Sequence, residues 1–176
     1  YEITVKANSA TATYDGKEHE AVGVETYEFT VEGNSYTVSG LSTEDPKQKD
    51  AGSYTNNITG TPVVTDKEGN VVTSEFEVKT ENGSLEIGKA AVTLKSATLS
   101  KKYDGNALVN GDTALEIESG FAEGEGATYN FTGSQTVVGS SANAFSYELN
   151  GNTNIDNYAI SKQEGTLTVT NREAKY

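Results

Sequence analysis

Hydrophobic and polar residues alternate along most of this chain. Ile3 and Val5 alternate with polar neighbours, and the same pattern recurs at 27–31, 76–78 and 85–87. In the C-terminal half, the positions predicted to face a core are Val92, Leu94, Leu115, Ile117, Tyr129, Phe131, Phe145, Tyr147, Leu149, Tyr158, Ile160, Leu167 and Val169. A two-residue period is typical of strands that bury one face. We therefore predict an all-β fold made of half-buried antiparallel strands.

Turn sequences separate the predicted strands at short intervals. Asn-Gly and Asp-Gly pairs, which supply the positive φ values of tight hairpin turns, occur at 15–16, 82–83, 104–105, 110–111 and 150–151. The best helical candidate is a single turn within 42–49, and Pro46 limits its length. A β-grasp fold would require a helix-length pattern, which the sequence lacks. About seven to nine short strands in each half favour Ig-like β-sandwiches.

The chain contains the same unit twice. The triplet Tyr-Asp-Gly occurs at 14–16 and again at 103–105, each time after an alternating strand. Each half also closes on a similar strand, which begins at Gly83 in the first half and at Gly165 in the second. Repetition of one unit is typical of modular arrays, whereas an active site is rarely needed twice in series.

These repeats predict two domains, at 1–88 and 89–176. The boundary segment 88–90 contains no proline or serine, and it leads from one predicted strand almost directly into the next. Because so short a linker has little freedom, we expect a stiff pair of domains arranged end to end.

Composition excludes several classes of function. The net charge of −13 repels nucleic acid and anionic membrane surfaces, so neither is an expected partner. No run of residues approaches the length of a membrane span. The chain has no cysteine, so disulfides do not stabilise it, which suits an exported bacterial protein. With no signal peptide and no initiator methionine, it is expected to be part of a longer protein.

No residue is predicted to be catalytic, cofactor-binding or metal-binding, and we do not expect an enzyme. Asp15 and Asp104 occupy identical settings without a partner acid, base or metal in the sequence. In each triplet we expect the tyrosine to pack inward, the aspartate to accept a hydrogen bond from the turn backbone, and the glycine to adopt positive φ. His19 is the only histidine, which argues against a His-rich metal site or a catalytic triad.

Calcium is the one cofactor that the sequence leaves open. Carboxylates cluster at 44–45, 66–68 and 123–125, and the loop at 152–157 is rich in oxygen-bearing side chains. Calcium requires six to eight oxygen ligands, and none of these segments has the EF-hand pattern. Solvated loops are therefore the preferred interpretation, with calcium binding as the alternative.

Two further motifs have an ordinary structural explanation. Lys6 and Lys95 occupy matched positions on the first strand of each half, where a lysine could form an intramolecular isopeptide bond. The alternation places them on the polar face, and the last strands carry serine, threonine and glutamate, so solvated lysines are expected. Aromatic residues mostly fall on the inward phase of strands and are expected in the core, although the positions of Tyr54 and Tyr103 stay open.

The repeated segments resemble the mostly bacterial, Gly-rich repeats called MBG domains. The resemblance rests on the Tyr-Asp-Gly triplets, on Ala-Gly-Ser-Tyr at 51–54 and Val-Gly-Ser-Ser at 138–141, and on the closing strands. The first half departs from the pattern at 75–78, where it has Glu-Phe-Glu-Val. The resemblance implies tandem Ig-like modules of large secreted or wall-attached bacterial proteins, with no catalytic residues and no established ligand.

The leading hypothesis is a structural spacer on a bacterial cell surface that projects a distal functional domain, with neighbouring repeats of the same chain as its partners. The alternative is an adhesive module that binds host glycan, mucin or matrix protein through its loops or at the 88–90 junction. An enzyme would require convergent carboxylates in a cleft, and the sequence contains no such constellation.

Overall fold

The computed structural model describes residues 1–172, and it is built almost entirely from β-strands. The chain divides into two compact units, Tyr1–Gly88 and Lys89–Tyr176, called unit 1 and unit 2 below. Within residues 1–172 there is no α-helix, and the only helical elements are 3₁₀ turns at Thr73–Glu75 and Ile155–Asn157. The best helical candidate of the sequence, 42–49, contains no helical turn and includes residues of two strands. The fold is therefore all-β, as predicted.

Unit 1 contains ten strands. They are β1 (Glu2–Lys6), β2 (Ala10–Thr13), β3 (His19–Glu20), β4 (Glu28–Val31), β5 (Asn34–Thr43), β6 (Lys47–Gln48), β7 (Gly52–Asn56), β8 (Ile58–Asp66), β9 (Glu77–Glu81) and β10 (Gly83–Gly88). They form the sheets β1-β9, β2-β10-β7, β4-β5-β8 and β3-β6.

The described part of unit 2 contains eight strands. They are β11 (Ala90–Lys95), β12 (Leu99–Lys102), β13 (Ile117–Ser119), β14 (Ala127–Phe131), β15 (Gly139–Ala142), β16 (Phe145–Leu149), β17 (Tyr158–Gln163) and β18 (Thr166–Thr170). They form the sheets β13-β11-β17, β12-β18-β15 and β14-β16.

The prediction of purely antiparallel pairing is wrong for four pairs of strands. In unit 1, β1 runs parallel to β9 and β2 runs parallel to β10. In unit 2, β11 runs parallel to β17 and β12 runs parallel to β18. Side chains alternate with the same two-residue period in parallel and antiparallel strands, so the hydrophobic pattern could not distinguish them.

The two parallel pairs in each unit lie in different sheets but keep one register. Through β1 and β2, every residue pairs with the one 75 positions later, and the partners lie in β9 and β10. Through β11 and β12, the corresponding spacing is 68. We call these two structures the terminal ladders, because each joins the first strands of a unit to its last. A ladder of about 12 residues is about 40 Å long.

The cores follow the alternation with one informative exception. In unit 1, Ile3 and Val5 on β1 are buried against Val38 and Val64 on β5 and β8. In unit 2, the most buried of the predicted positions are Val92, Leu94, Phe145, Tyr158, Leu167 and Val169. Ile117 is 37% exposed, so its prediction is wrong. It pairs with Lys95 and therefore shares the outward face of β11 with that lysine.

A glycine lies at the same point of each terminal ladder. Gly83 begins β10 and is buried, and it lacks the positive φ predicted for an Asn-Gly hairpin turn, so that turn assignment is wrong. A Cβ atom on Gly83 would lie 2.2 Å from the carbonyl oxygen of Asn8. On Gly165 it would lie 2.4 Å from the carbonyl oxygen of Ala97. Glycine is needed at both positions for close approach of two backbones, and not for a turn.

We predict that Gly83→Ala and Gly165→Ala each destabilise their unit by at least about 2 kcal/mol, because the added methyl group forces the backbone of the ladder to move. Chemical denaturation monitored by tyrosine fluorescence measures the change. Gly88→Ala is the matched control, since its Cβ would meet only the Ala12 carbonyl oxygen, at 3.8 Å. Equal stability of all three variants would contradict the close approach.

Candidate functional site

The two Tyr-Asp-Gly triplets form the same turn. A carboxylate oxygen of Asp15 accepts a hydrogen bond from the Lys17 backbone N–H at 2.9 Å. Asp104 accepts the equivalent bond from the Asn106 N–H, also at 2.9 Å. The glycines that follow the aspartates have φ values of 77° and 82°. The structural role predicted for both aspartates and both glycines is confirmed.

The side-chain surroundings of the two turns differ. Asp15 also contacts the His19 Nε2 at 2.8 Å, whereas Asp104 contacts the Lys101 Nζ at 2.9 Å. The pKa of Asp15 is lowered mainly by the hydrogen bond from the Lys17 N–H and secondly by His19. The pKa of Asp104 is lowered mainly by Lys101 and secondly by the Asn106 N–H. Both carboxylates therefore favour the ionised form that accepts hydrogen bonds.

The tyrosines of the triplets behave differently. Tyr14 is 9% exposed and packs inward as predicted, whereas Tyr103, whose position the sequence left open, is 39% exposed and does not pack inward. Tyr103 lies beside the end of β18, and its backbone N–H donates a hydrogen bond to the Thr170 carbonyl oxygen. Val138 immediately precedes Gly139, which pairs with Val169 at the same end of β18. Exposed apolar side chains therefore gather at this end of unit 2.

A fully buried asparagine in each unit was missed by the sequence analysis. Asn56 donates to the Asn8 carbonyl oxygen at 3.0 Å and accepts from the Asp45 N–H at 2.9 Å. Asn143 donates to the Ala97 carbonyl oxygen at 3.0 Å and to the Asn110 Oδ1 at 2.9 Å. Each asparagine therefore fixes the backbone of the segment that connects the first two strands of its unit.

The signal for these asparagines was present in the sequence. Each lies four positions after the glycine of a Gly-Ser pair, in the segments 52–56 and 139–143. An asparagine in an alternating strand is normally assigned to the polar face, so only comparison of the two halves distinguishes it. Burial of an amide is tolerated here because backbone groups satisfy its donor.

Asp45 supports the asparagine of unit 1 from an unusual backbone conformation. Its φ is 54°, and its carboxylate accepts hydrogen bonds from the Thr43 hydroxyl at 2.6 Å and the Gly23 N–H at 2.9 Å. These two bonds, the Thr43 bond foremost, lower the pKa of Asp45. In unit 2, the Oδ1 atom of Asn143 is buried and has no hydrogen-bond partner among residues 1–172.

The carboxylate clusters do not converge on a metal site. Within the described part of the chain, no three histidine, aspartate or glutamate side chains are arranged to hold a metal ion. Asp66 accepts hydrogen bonds from the Glu68 and Asn70 N–H groups of its own hairpin. In the loop at 152–157, Asn152 donates to Gly124 and Thr153 accepts from Gly126. The oxygen-rich side chains therefore stabilise turns.

The two matched lysines form exposed ion pairs. The Lys6 Nζ lies 3.8 Å from Glu81, and its side chain is half exposed. The Lys95 Nζ lies 3.3 Å from Glu116. The prediction of solvated lysines is confirmed for Lys6, and Lys95 is somewhat less exposed. Exposed pairs of this kind contribute little to stability.

The surface hollows of both units are small and open to solvent. One in unit 1 has a volume of about 450 Å³. Its lining residues are Thr43, Glu44, Asn57, Ile58, Thr59 and Asn82. No aromatic ring lines this hollow, whereas Tyr129 and Tyr147 line one of similar volume in unit 2. Several rings instead pack on one another, as Tyr36 does on Phe76 with centroids 4.8 Å apart.

One tyrosine of unit 2 has a strongly altered environment. The Tyr129 hydroxyl is buried and has no partner at hydrogen-bond distance within residues 1–172. Burial, and then the nearby Glu118 carboxylate, raise the pKa of Tyr129. Because its pKa is raised, this hydroxyl stays protonated at neutral pH.

Searches of protein-family models, curated proteins and solved structures found no match to this chain. No helix among the described residues is long and apolar enough to cross a membrane.

We predict that Asn56→Ala and Asn143→Ala each destabilise their unit by about 2–3 kcal/mol, because each removal leaves buried backbone groups without partners. Thermal and urea unfolding measure the loss. Asn106→Ala, which changes an exposed asparagine of the Asp104 turn, is the control and should be near neutral. A near-neutral Asn143→Ala would show that the crossover does not depend on this amide.

We also predict an acid-sensitive contribution from the two aspartate turns. Because the folded pKa of Asp15 lies below the ordinary value of 3.8, its stabilisation is present above that value and disappears as pH falls through the folded pKa. NMR titration of the carboxyl carbon gives the folded pKa directly. Asp15→Asn should reduce the loss of unit 1 stability that occurs as pH falls. Asp112→Asn, at an exposed position of unit 2, should leave that loss unchanged. A normal titration of Asp15 would contradict the turn assignment.

Proposed function

We propose that this chain is a pair of Ig-like spacer repeats from a bacterial cell-surface protein, which projects a distal functional domain. The terminal ladders are the observation that carries this proposal. Because the first and last strands of a unit run parallel, the chain enters a unit at one end of the ladder and leaves at the other. Each repeat then adds up to about 40 Å of reach.

The ladder also suits a unit that is pulled by its ends. Force along parallel strands slides them past one another, so that all the hydrogen bonds of the ladder resist together. Force across a hairpin instead opens its bonds one after another. In both units the ladder joins the first and last strands, which are the points where force enters and leaves. A spacer under tension gains from this arrangement.

The duplicated side chains support the same proposal. The crossover asparagines, the ladder glycines and the aspartate turns recur in both units, and they act on backbone groups of their own unit. Repetition of structural devices without a repeated chemical site is the pattern of a modular array. The acidic surface keeps neighbouring proteins soluble.

We predict that stretching the chain from its two ends in single-molecule force spectroscopy gives two unfolding events. Each should release about 300 Å of contour length, since each unit has 88 residues. A second attachment geometry, with handles at residues 28 and 37, pulls the two paired strands of the β4–β5 hairpin of unit 1 apart instead of shearing the ladder. Unit 1 should unfold at lower force in that geometry. Equal force in the two geometries would contradict a spacer built to resist tension.

An adhesive module is the second candidate, and the exposed apolar end of unit 2 favours it. Val137 is 66% exposed there, and Val138 is 49% exposed. A screen against mucins, host glycans and matrix proteins, with and without calcium, tests this alternative. Saturable binding that is lost in Val137→Asp but kept in Val71→Asp, at an exposed valine of unit 1, would replace the spacer proposal.

A further inference from the structure

The sheet that contains β14 lacks a strand on one side. In unit 1, β5 lies between β4 and β8. In unit 2, β14 and β16 form a sheet of only two strands. The two sheets correspond, because β8 and β16 both begin two residues after the buried asparagine, and their first residues pair with Thr43 and Phe131. The place beside β14 that corresponds to β4 is empty within residues 1–172.

The cause is a different path of the preceding segment. In unit 1 this segment crosses from the edge of β1 to the edge of β5, where it forms β4. In unit 2 it stays on the first strand as β13, which pairs Ile117 with Lys95 and Ser119 with Thr93. Unit 2 therefore covers the edge of its first strand and leaves the edge of β14 uncovered.

The hydrogen bonds at both ends of the β14–β16 hairpin fix which backbone groups are unpaired. The Asn150 N–H donates to the Gly126 carbonyl oxygen at 2.9 Å, and the Thr132 N–H donates to Ala144 at 2.8 Å. Even-numbered residues of β14 therefore face β16. The N–H and C=O groups of the odd-numbered residues, at 127, 129 and 131, point to the free side. Such a row of unpaired groups accepts another strand.

The sequence of β14 does not protect this edge. It reads Ala-Thr-Tyr-Asn-Phe, with no charge, no proline and no glycine. Natural edge strands commonly carry a lysine, a proline or a bulge that blocks further pairing. The strand β4, which covers the equivalent edge in unit 1, carries Glu28, and β13, which covers the edge of β11, carries Glu118. Uncharged segments of high β-propensity pair readily with identical segments.

We propose that β14 of one copy of this chain pairs antiparallel with β14 of a second copy, which joins two hairpins into a four-stranded sheet across a two-fold axis. In this register Tyr129 faces Tyr129 of the partner subunit, and the outward backbone groups form up to about six hydrogen bonds. The same edge serves both copies, so the contact closes on itself. Its small area makes it weak and dependent on concentration.

The distribution of charge favours association of two copies through unit 2. Segment 1–88 contains 16 acidic and 6 basic residues, whereas segment 89–176 contains 10 and 7. Two copies therefore repel one another strongly through unit 1 and much less through unit 2. Screening by salt should strengthen the association, because it weakens the remaining repulsion.

Sedimentation velocity and hydrogen exchange of the whole chain, from about 10 μM to about 1 mM, test the proposal at concentrations where a small interface associates. We expect a monomer–dimer equilibrium, with amide exchange at 127–131 slowing as concentration rises. A chain that stays monomeric throughout would overturn the proposal. A dimer without protection at 127–131 would also overturn it, because another surface would then be responsible.

Paired substitutions test the register directly. Residue 128 of one copy would face residue 130 of the other, and both side chains are exposed. The double variant Thr128→Lys with Asn130→Lys places like charges opposite each other and should weaken dimerisation at least tenfold. Thr128→Lys with Asn130→Glu places opposite charges there and should restore it. Equal dimerisation of the two variants would overturn the proposed register.

The same chain offers controls for the folding and for the net charge of these variants. Thr128 lies opposite Glu148 in the hairpin, so a lysine at 128 supports the fold of unit 2. Ser35→Lys with Thr37→Lys, at exposed positions on the central strand β5, adds the same two charges to unit 1. This double variant should leave dimerisation unchanged, whereas an equal loss in it would show that net charge alone governs association. The force experiment on single chains is independent of this result.

Discussion

The parallel ladder between the first and last strands of each unit is the constraint on which the rest of the structure depends. In unit 1 its two sides are 75 residues apart in sequence, and in unit 2 they are 68 apart. The chain between them must return to its starting end, and it does so in strands that pair mostly antiparallel and pack over the ladder. Since these contacts are distant in sequence, the ladder can form only after a long loop has closed, which is typical of slowly folding β-proteins.

Each ladder changes sheets part way along, and this change explains the duplicated residues. Both strands of the ladder pass from one sheet to the other at the same point, so their backbones approach closely there. A side chain at Gly83 or Gly165 would occupy the space of the opposite carbonyl group. The crossing also leaves backbone carbonyls of the first strand without a ladder partner, and the buried amides of Asn56 and Asn143 donate to them. The glycine and the asparagine thus solve two parts of one geometrical problem.

The sequence could predict strands and turns, which depend on local pattern. It could not predict features that depend on which distant strands pair. Alternation located β1, β11 and β18, and the turn role of Asp15 followed from the known chemistry of Asp-Gly pairs. Alternation could not reveal the direction of pairing, because a strand has the same two faces in either direction. Ile117 was assigned to the core because its phase fits a strand, but the core lies on the other face of β11. The buried asparagines were missed because their hydrogen-bond partners, most of them backbone groups, leave no trace in a hydrophobicity pattern.

The comparison of the two units separates what the ladder fixes from what it leaves free. The turn after the second strand and the crossover amide keep their positions because the ladder defines both of them. The segment between β3 and β5 has no such constraint, and its equivalent in unit 2 pairs with a different strand. Charge has diverged in the same way, with most of the acidic excess in unit 1. In a repeated unit of this kind the middle strands are therefore the place where one copy can acquire a contact that its neighbour lacks, without weakening the ladder.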